Sequence, residues 1–271
     1  MQSISSTTEL WLTHPTVQVS SPSPLLRLFC FPYAGGGASL YRAWAELLPY
    51  NIDLRIVQLP GRENRLAEPP LTSVSTVVAE VASIMRPLLD RPFAFFGHSM
   101  GALLAFEVAR ALREREDLEP IQLFVSAFRA PQLPVQERPL MHNLDDAAFI
   151  DQLRRLNGTP PEVLQNSELL CLVLPTLRAD MQICETYRYL AGAPLSCPIS
   201  TFGGIQDHEV SRADLEGWRE QTTASFVMRT LPGDHFFITS ARPLLLQALT
   251  LDLTRLCQNL LTRPEPVNDR R

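Results

Sequence analysis

The chain has 271 residues, 45% of them hydrophobic and 20% charged, with a net charge of −5, a globular composition and not the low-hydrophobicity, high-charge signature of disorder. Five scattered cysteines, odd in number and without a Cys-x-x-Cys pair, argue against a disulfide framework or a zinc site and for reduced thiols in a cytoplasmic protein. No Lys/Arg block suited to a nucleic-acid backbone is present, and no apolar run approaches the roughly 20 residues of a membrane span, so neither nucleic acid nor membrane is an expected partner.

Residues 1–24 are rich in Ser, Thr and Pro and lack the basic start and apolar core of a signal peptide. They read as a flexible amino-terminal segment. From Leu25 strand-like and helical stretches alternate. Residues 25–31 form a strand candidate, followed by the Gly-rich turn Ala34-Gly35-Gly36-Gly37-Ala38. A helix is predicted over 39–48 and a strand over 53–59. Val74, Val77, Val78, Val81, Met85 and Leu88 recur at helical spacing, which predicts an amphipathic helix over 73–89. Strands over 93–96 and 121–126 flank a helix over 101–115. Such alternation implies right-handed crossovers and a mainly parallel sheet with helices on both faces, the α/β class.

The alternation then stops. Residues 131–194 read as all-helical, with Asp145 or Asp146 capping one helix, Gly158 closing it, and Pro175 kinking or breaking the next. Helices inserted in such a sheet are most simply a cap over the strand ends, the alternative being extra core helices with no gating role. Alternation resumes with a strand over 199–202, a helix over 211–221, a strand over 226–231 and a long helix over 241–261. The predicted organisation is a core of 25–130 and 195–261, a helical lid of 131–194 and a disordered tail of 262–271. No repeat of solenoid or propeller period is visible.

The chemistry gathers around Gly97-His98-Ser99-Met100-Gly101, which follows the apolar run Phe93-Ala94-Phe95-Phe96 and opens a helix. Strand, tight turn and helix in that order expose a serine nucleophile at a strand end, with the glycines letting strand and helix pass closely. A serine hydroxyl needs a base, and the base needs an orienting carboxylate, in the chain order Ser, Asp or Glu, His. His14 lies in the loose amino-terminal segment, His98 inside the turn, and His142 ahead of the nominal carboxylate. His208 stays open. His235 is the favoured base, in Pro232-Gly233-Asp234-His235-Phe236-Phe237 between the last strand and last helix. Asp207, where a strand runs into a loop, is the favoured carboxylate, with Asp180 and Asp214 as competitors. Asp234, beside the base, is badly placed to reach its ring. The expected oxyanion donors are the amides of Met100, at a helix start, and Ala34, in the Gly-rich turn. That turn lacks the Gly-Lys-Ser/Thr ending of a phosphate-binding loop.

Together these residues resemble the stand-alone type II thioesterases that accompany polyketide and nonribosomal peptide synthases, and also the thioesterase that releases medium-chain fatty acids from a fatty acid synthase. The resemblance covers about residues 25–260. It is carried by Phe31-Pro32-Tyr33-Ala34-Gly35, Gln58-Leu59-Pro60-Gly61-Arg62-Glu63, the turn at Ser99, Leu123-Phe124-Val125-Ser126 with Arg129-Ala130-Pro131, Leu177-Arg178-Ala179-Asp180, and the His235 segment.

The resemblance implies an α/β-hydrolase fold with a helical lid. It implies a Ser99, Asp207, His235 triad with Ala34 and Met100 as oxyanion amides, and no metal. No cofactor of the protein's own is implied, because the phosphopantetheine arm comes with the substrate. The implied partners are acyl or peptidyl carrier protein domains, and a monomer is expected. Such carriers are generally acidic, which suggests a locally basic docking face with Arg62 and Arg65 in it. Two departures stand out: His208 where relatives often have Pro, and Asp234 where they often have Gly. The implied activity is editing of stalled or misprimed synthases. Chain release of medium-chain fatty acids is the alternative, ahead of a lipase or small-ester esterase and of a non-catalytic carrier-binding subunit.

Overall fold

The computed structural model describes residues 6–15, 24–134 and 139–262. Helix α1 (Ser6–Trp11) runs directly into a short strand, β1 (Leu12–Thr13). The expectation of a flexible segment through residue 24 is corrected here. Trp11 and Leu12 are buried, and the Arg65 guanidinium lies 4.1 Å from the centre of the Trp11 ring. Two large apolar side chains thus anchor a stretch whose composition is otherwise polar. Residues 1–5 and 16–23 lie outside the described residues.

The predicted alternation follows. Strand β2 (Leu26–Phe31) leads to α2 (Ser39–Arg42), which continues as a 3₁₀ segment, Ala43–Glu46, in place of one long helix. Next come β3 (Ile52–Val57), α3 (Val74–Met85), β4 (Phe93–His98), α4 (Met100–Glu116) and β5 (Gln122–Ser126). The Ser73 hydroxyl caps α3 by accepting from the Thr76 amide, and the predicted stripe of Val77, Val78, Val81 and Met85 is buried.

Between β5 and the next strand stands the helical insertion: a 3₁₀ turn, Met141–Asn143, then α5 (Asp146–Leu156), α6 (Pro161–Leu164) and α7 (Ser167–Thr186). Asp145 caps α5, its carboxylate accepting from the Ala148 amide at 2.9 Å. Asn157, not Gly158, ends α5 in the left-handed conformation at φ 59°, which Asn tolerates better than most residues. Pro175 does not break α7, which stays helical across it. A proline removes one helix bond, but Leu170, Thr176, Leu177, Ala179, Asp180 and Ile183 are buried along α7, and this packing holds the turn. Residues 187–194 carry no helix.

The chain then returns to the core with β6 (Ile199–Gly204), α8 (Arg212–Glu216), β7 (Phe226–Leu231), a single turn α9 (Phe237–Ser240) and α10 (Arg242–Thr262). Residues 263–271, where a disordered tail is expected, lie outside the described residues.

The seven strands form one sheet in the order β1-β3-β2-β4-β5-β6-β7. All neighbours are parallel except β1, which lies antiparallel on the β3 edge. Every position of β2, β4 and β5 is buried, as strands covered on both faces must be. Phe29, Phe31 and Phe95 pack on one face with α3 and α4, and Leu28, Cys30 and Phe96 on the other with Tyr41, Trp44 and α10. Register pairs Phe31 with Gly97, His98 with Ser126 and Ser126 with Phe202. The carboxyl ends of four strands are therefore level, and the loops that leave them converge.

Candidate active site

Ser99 sits between β4 and α4 with φ 53° and ψ −123°, a backbone conformation that L-residues rarely adopt. Its amide donates to the Ser126 carbonyl at 2.8 Å, tying the turn to the neighbouring strand. A methyl group at Gly97 would overlap the Gly101 carbonyl, and one at Gly101 would overlap the Phe31 carbonyl. Both glycines are required by close backbone approach, which is the reason the pentapeptide brackets its serine with them.

The Ser99 hydroxyl lies 3.0 Å from His235 Nε2, and His235 Nδ1 lies 3.0 Å from Asp207 Oδ2. An ionised carboxylate only accepts, so the imidazole proton sits on Nδ1 and Nε2 is free to accept from Ser99. Asp207 Oδ1 also accepts from the amides of Glu209 at 2.8 Å and Val210 at 3.1 Å. Burial pushes the Asp207 carboxyl up, but the hydrogen bonds and charge from His235 and the two amides outweigh it and hold the group below the usual carboxylate range. The Asp207 side chain is fully buried, while that of His235 is 13% exposed, enough for water to reach the ring.

The competing residues fall elsewhere. Asp214 closes a capping box with Ser211 at the start of α8. His142 pairs with Glu185 at 2.6 Å, and His14 lies 3.4 Å from Asp53 at the opposite end of the sheet. His208 is exposed. Asp234 accepts from the Phe236 amide and from Asn157 Nδ2, which turns its carboxylate along the loop and toward the insertion. Asp180 is buried in a bidentate pair with Arg62 at 2.7 and 2.8 Å. Arg65 is buried as well and pairs with Glu68. The expectation that Arg62 and Arg65 line a basic docking face is therefore corrected: both guanidiniums face inward onto carboxylates and backbone carbonyls.

One supporting residue has no signal in the spacing. His98 is fully buried beside the base, its Nε2 donating to the His235 carbonyl at 2.9 Å and its Nδ1 accepting from the Ser126 hydroxyl at 2.8 Å. Burial and the neighbouring His235 push its pKa well below the ordinary histidine value, so it stays neutral and can fill both roles. Its place next to Ser99 in the pentapeptide hints at proximity, but not at the partner 137 residues away.

A cavity of about 140 Å³ opens at Ser99. Tyr33, Phe128 and Phe236 come from core loops, and Met141, Leu156 and Met181 from the helical insertion. Ala34 lines the same cavity, and Met100 begins α4 beside it. Neither amide has a hydrogen-bond acceptor among the described residues. Two unpaired donors flank a serine held by an imidazole, an arrangement that can polarise a carbonyl and attack it. Among the described residues no group of three or more His, Cys, Asp or Glu side chains is placed to hold a metal ion, and no helix is long and apolar enough to cross a membrane.

Comparison with known proteins gives the family. The Thioesterase domain family matches residues 26–250. The gramicidin S biosynthesis protein GrsT of Aneurinibacillus migulanus is 49% identical over 217 residues, 80% of this chain and 84% of that protein. The medium-chain S-acyl fatty acid synthase thioesterase of Rattus norvegicus is more distant, at 32% over 222 residues, 80% of this chain and 83% of that one. Among solved structures, the type II thioesterase BorB from the borrelidin biosynthetic cluster superposes with a TM-score of 0.80 at 35% identity, over 89% of this chain and 96% of BorB. With a parallel sheet, a helical insertion over its carboxyl ends and a family match across most of its length, the chain belongs to the thioesterase family, with the α/β-hydrolase fold.

Proposed function

We propose that this protein is a serine thioesterase that hydrolyses acyl groups from the phosphopantetheine arm of acyl or peptidyl carrier proteins, clearing stalled or misprimed polyketide and nonribosomal peptide synthases. The observation that carries the reading is the hydrogen-bonded series Asp207, His235, Ser99 opening onto a small cavity in a thioesterase fold. Ser99 Oγ attacks the thioester carbonyl carbon as His235 Nε2 takes the hydroxyl proton. The carbonyl oxygen, now negative, is met by the Ala34 and Met100 amides. The carbon–sulfur bond breaks, the arm leaves as a thiol with the proton from His235, and the acyl group stays on Ser99. A water then attacks the ester, giving its proton to His235, and Ser99 leaves with that proton restored. Asp207 holds the imidazole tautomer throughout and stabilises its charged form. No cofactor of the protein's own is needed, since the arm is part of the substrate.

The alternative, release of medium-chain fatty acids, is less well supported. The medium-chain enzyme is the more distant of the two relatives, which favours the editing reading. The test is hydrolysis of propionyl- and decanoyl-phosphopantetheinyl carrier protein by the wild type and by Ser99→Ala. The reading expects propionyl release to dominate and to fall on the order of 10⁴-fold or more in the variant. Preference for decanoyl would favour chain release, and release that survives Ser99→Ala would overturn the nucleophile.

A further inference from the structure

The buried pair of Arg62 and Asp180 does more than close a charge. Asp180 lies on α7, in the helical insertion, and its Oδ2 accepts the Gly35 amide from the core turn at 2.6 Å. Gly35 follows Ala34, which lines the Ser99 cavity and whose amide has no acceptor among the described residues. The Gly36 amide donates to the Tyr33 carbonyl at 2.8 Å, and Gly35 has φ +78°, so residues 33–36 form a turn whose third position takes the type II value. The central peptide of this turn joins the Ala34 carbonyl to the Gly35 amide, so its orientation sets ψ of Ala34. Asp180 holds that peptide by its N–H. The Tyr33 carbonyl, on the peptide that bears the Ala34 amide, is held by Gly36.

Three further contacts seat the insertion on this turn and on the Gly61 loop beside it. Arg62 binds both Asp180 oxygens and donates to the Gly36 carbonyl at 3.2 Å. The Thr176 hydroxyl, one helical turn before Asp180, donates to the Gly61 carbonyl. Leu177 fills the space where a Gly35 side chain would stand. One face of α7 thus presses on the turn at positions 177 and 180 and on the neighbouring Gly61 at position 176. Three consecutive glycines, Gly35, Gly36 and Gly37, give the turn maximal backbone freedom, so its shape has to be imposed from outside.

We propose that Asp180 is a positioning residue, which fixes the Ala34 amide for the oxyanion by holding the adjacent Gly35 amide from the helical insertion. The proposal rests on the reading of Ala34 as an oxyanion donor. It also makes that donor conditional on α7 being seated: a displaced helix takes the carboxylate with it and leaves the peptide that follows Ala34 unanchored. A donor that is not preorganised loses much of its worth to the transition state.

Two substitutions in the full chain separate this role from simple cohesion. Asp180→Asn keeps an oxygen for the Gly35 amide and gives up the charge that faces Arg62. Asp180→Glu keeps the charge and displaces the oxygen by one methylene. Each variant is measured for its rate of Ser99 labelling by a fluorophosphonate, whose phosphoryl oxygen occupies the oxyanion position, and for kcat and KM on propionyl carrier protein. We expect Asp180→Glu to lose about thirtyfold to a hundredfold in labelling rate and kcat, with KM within about threefold. We expect Asp180→Asn to stay within about fivefold of wild type, and the pH midpoint of labelling to be unchanged in both. Glu equal to or faster than Asn, or both variants within about threefold of wild type, overturns the proposal. Equal losses in both also overturn it, since they assign the effect to the ion pair. If Asp180→Glu does not fold, Asp180→Ala replaces it with the same expected loss relative to Asn. A wild type that is labelled at Ser99 but leaves carrier thioesters intact refutes the proposed substrate, while the labelling rates still decide the role of Asp180.

Discussion

Two buried arginine–carboxylate clusters stand at opposite ends of the parallel strands. At the amino ends, Arg27 of β2 donates to Asp53 of β3 at 2.6 Å, and also binds Asp90 and the Leu88 carbonyl, while Arg55 and His14 close around Asp53. Arg27 and Asp53 are cross-strand register partners, so their pairing reinforces backbone pairing that already exists. At the carboxyl ends, Arg62 and Asp180 lie 118 residues apart and join segments that share no strand ladder. Their carboxylate is also spent on an amide beside the cavity. The same chemistry serves cohesion at one end and positioning at the other. The reason is topological: a parallel sheet sends the loops that can hold a substrate to the carboxyl ends of its strands.

The division is tested most strongly by Asp207→Asn. The Asn oxygen can still accept from the Glu209 and Val210 amides, which turns its NH₂ toward His235 Nδ1 and imposes the wrong tautomer on the imidazole. Carrier thioester hydrolysis should fall about 10³- to 10⁴-fold while the thermal midpoint moves little. A rate within tenfold of wild type would take the carboxylate out of the chemistry.

Asp53→Asn is the mirror case. It leaves the buried Arg27 with only the half-exposed Asp90 as counter-charge and should cost about 1–3 kcal/mol in urea unfolding, with kcat per titrated Ser99 unchanged. A fall in kcat without loss of stability would blur the contrast between the two ends.

The smallest expected effect is on the acid side. Burial pushes the Asp53 carboxyl up, but His14, Arg55 and Arg27 outweigh it and hold the group well below the usual range. Its contribution to stability is therefore complete above the unfolded value of about 3.9 and drains away as pH falls below it, because the unfolded chain then takes up a proton that folded Asp53 refuses. Unfolding free energy measured from pH 5 downward should drop more steeply in wild type than in Asp53→Asn. Equal slopes would mean that other carboxylates govern acid unfolding.

Much of the site was legible in the chain because its signals are local. The turn at Ser99 is written in five residues, since the two glycines answer backbone contacts made within that turn and against β2. His235 and Asp207 were legible from their places after the last two strands, where loops must meet if the sheet is parallel. Asp180 is a case in which the signal is not local. It is a carboxylate at a plausible position, and only its partners, Arg62 and the Gly35 amide, exclude it as the imidazole's acceptor. Arg62 and Arg65 mislead for the same reason. Arginine is seldom buried unless paired, and composition does not say when it is paired.

The sequence by itself determined the strand–helix alternation, the serine turn and the order in which its partners arrive, because periodicity, glycine sterics and strand ends act over a few residues. Tertiary structure alone decided that Trp11 and Leu12 anchor an edge strand, that α7 runs through Pro175, and that His98 holds the His235 loop. It alone brought Asp180 to an amide 145 residues away. A buried donor or acceptor has to find a partner, and which one it finds is set by distance in space, for which neither residue type nor spacing carries a code.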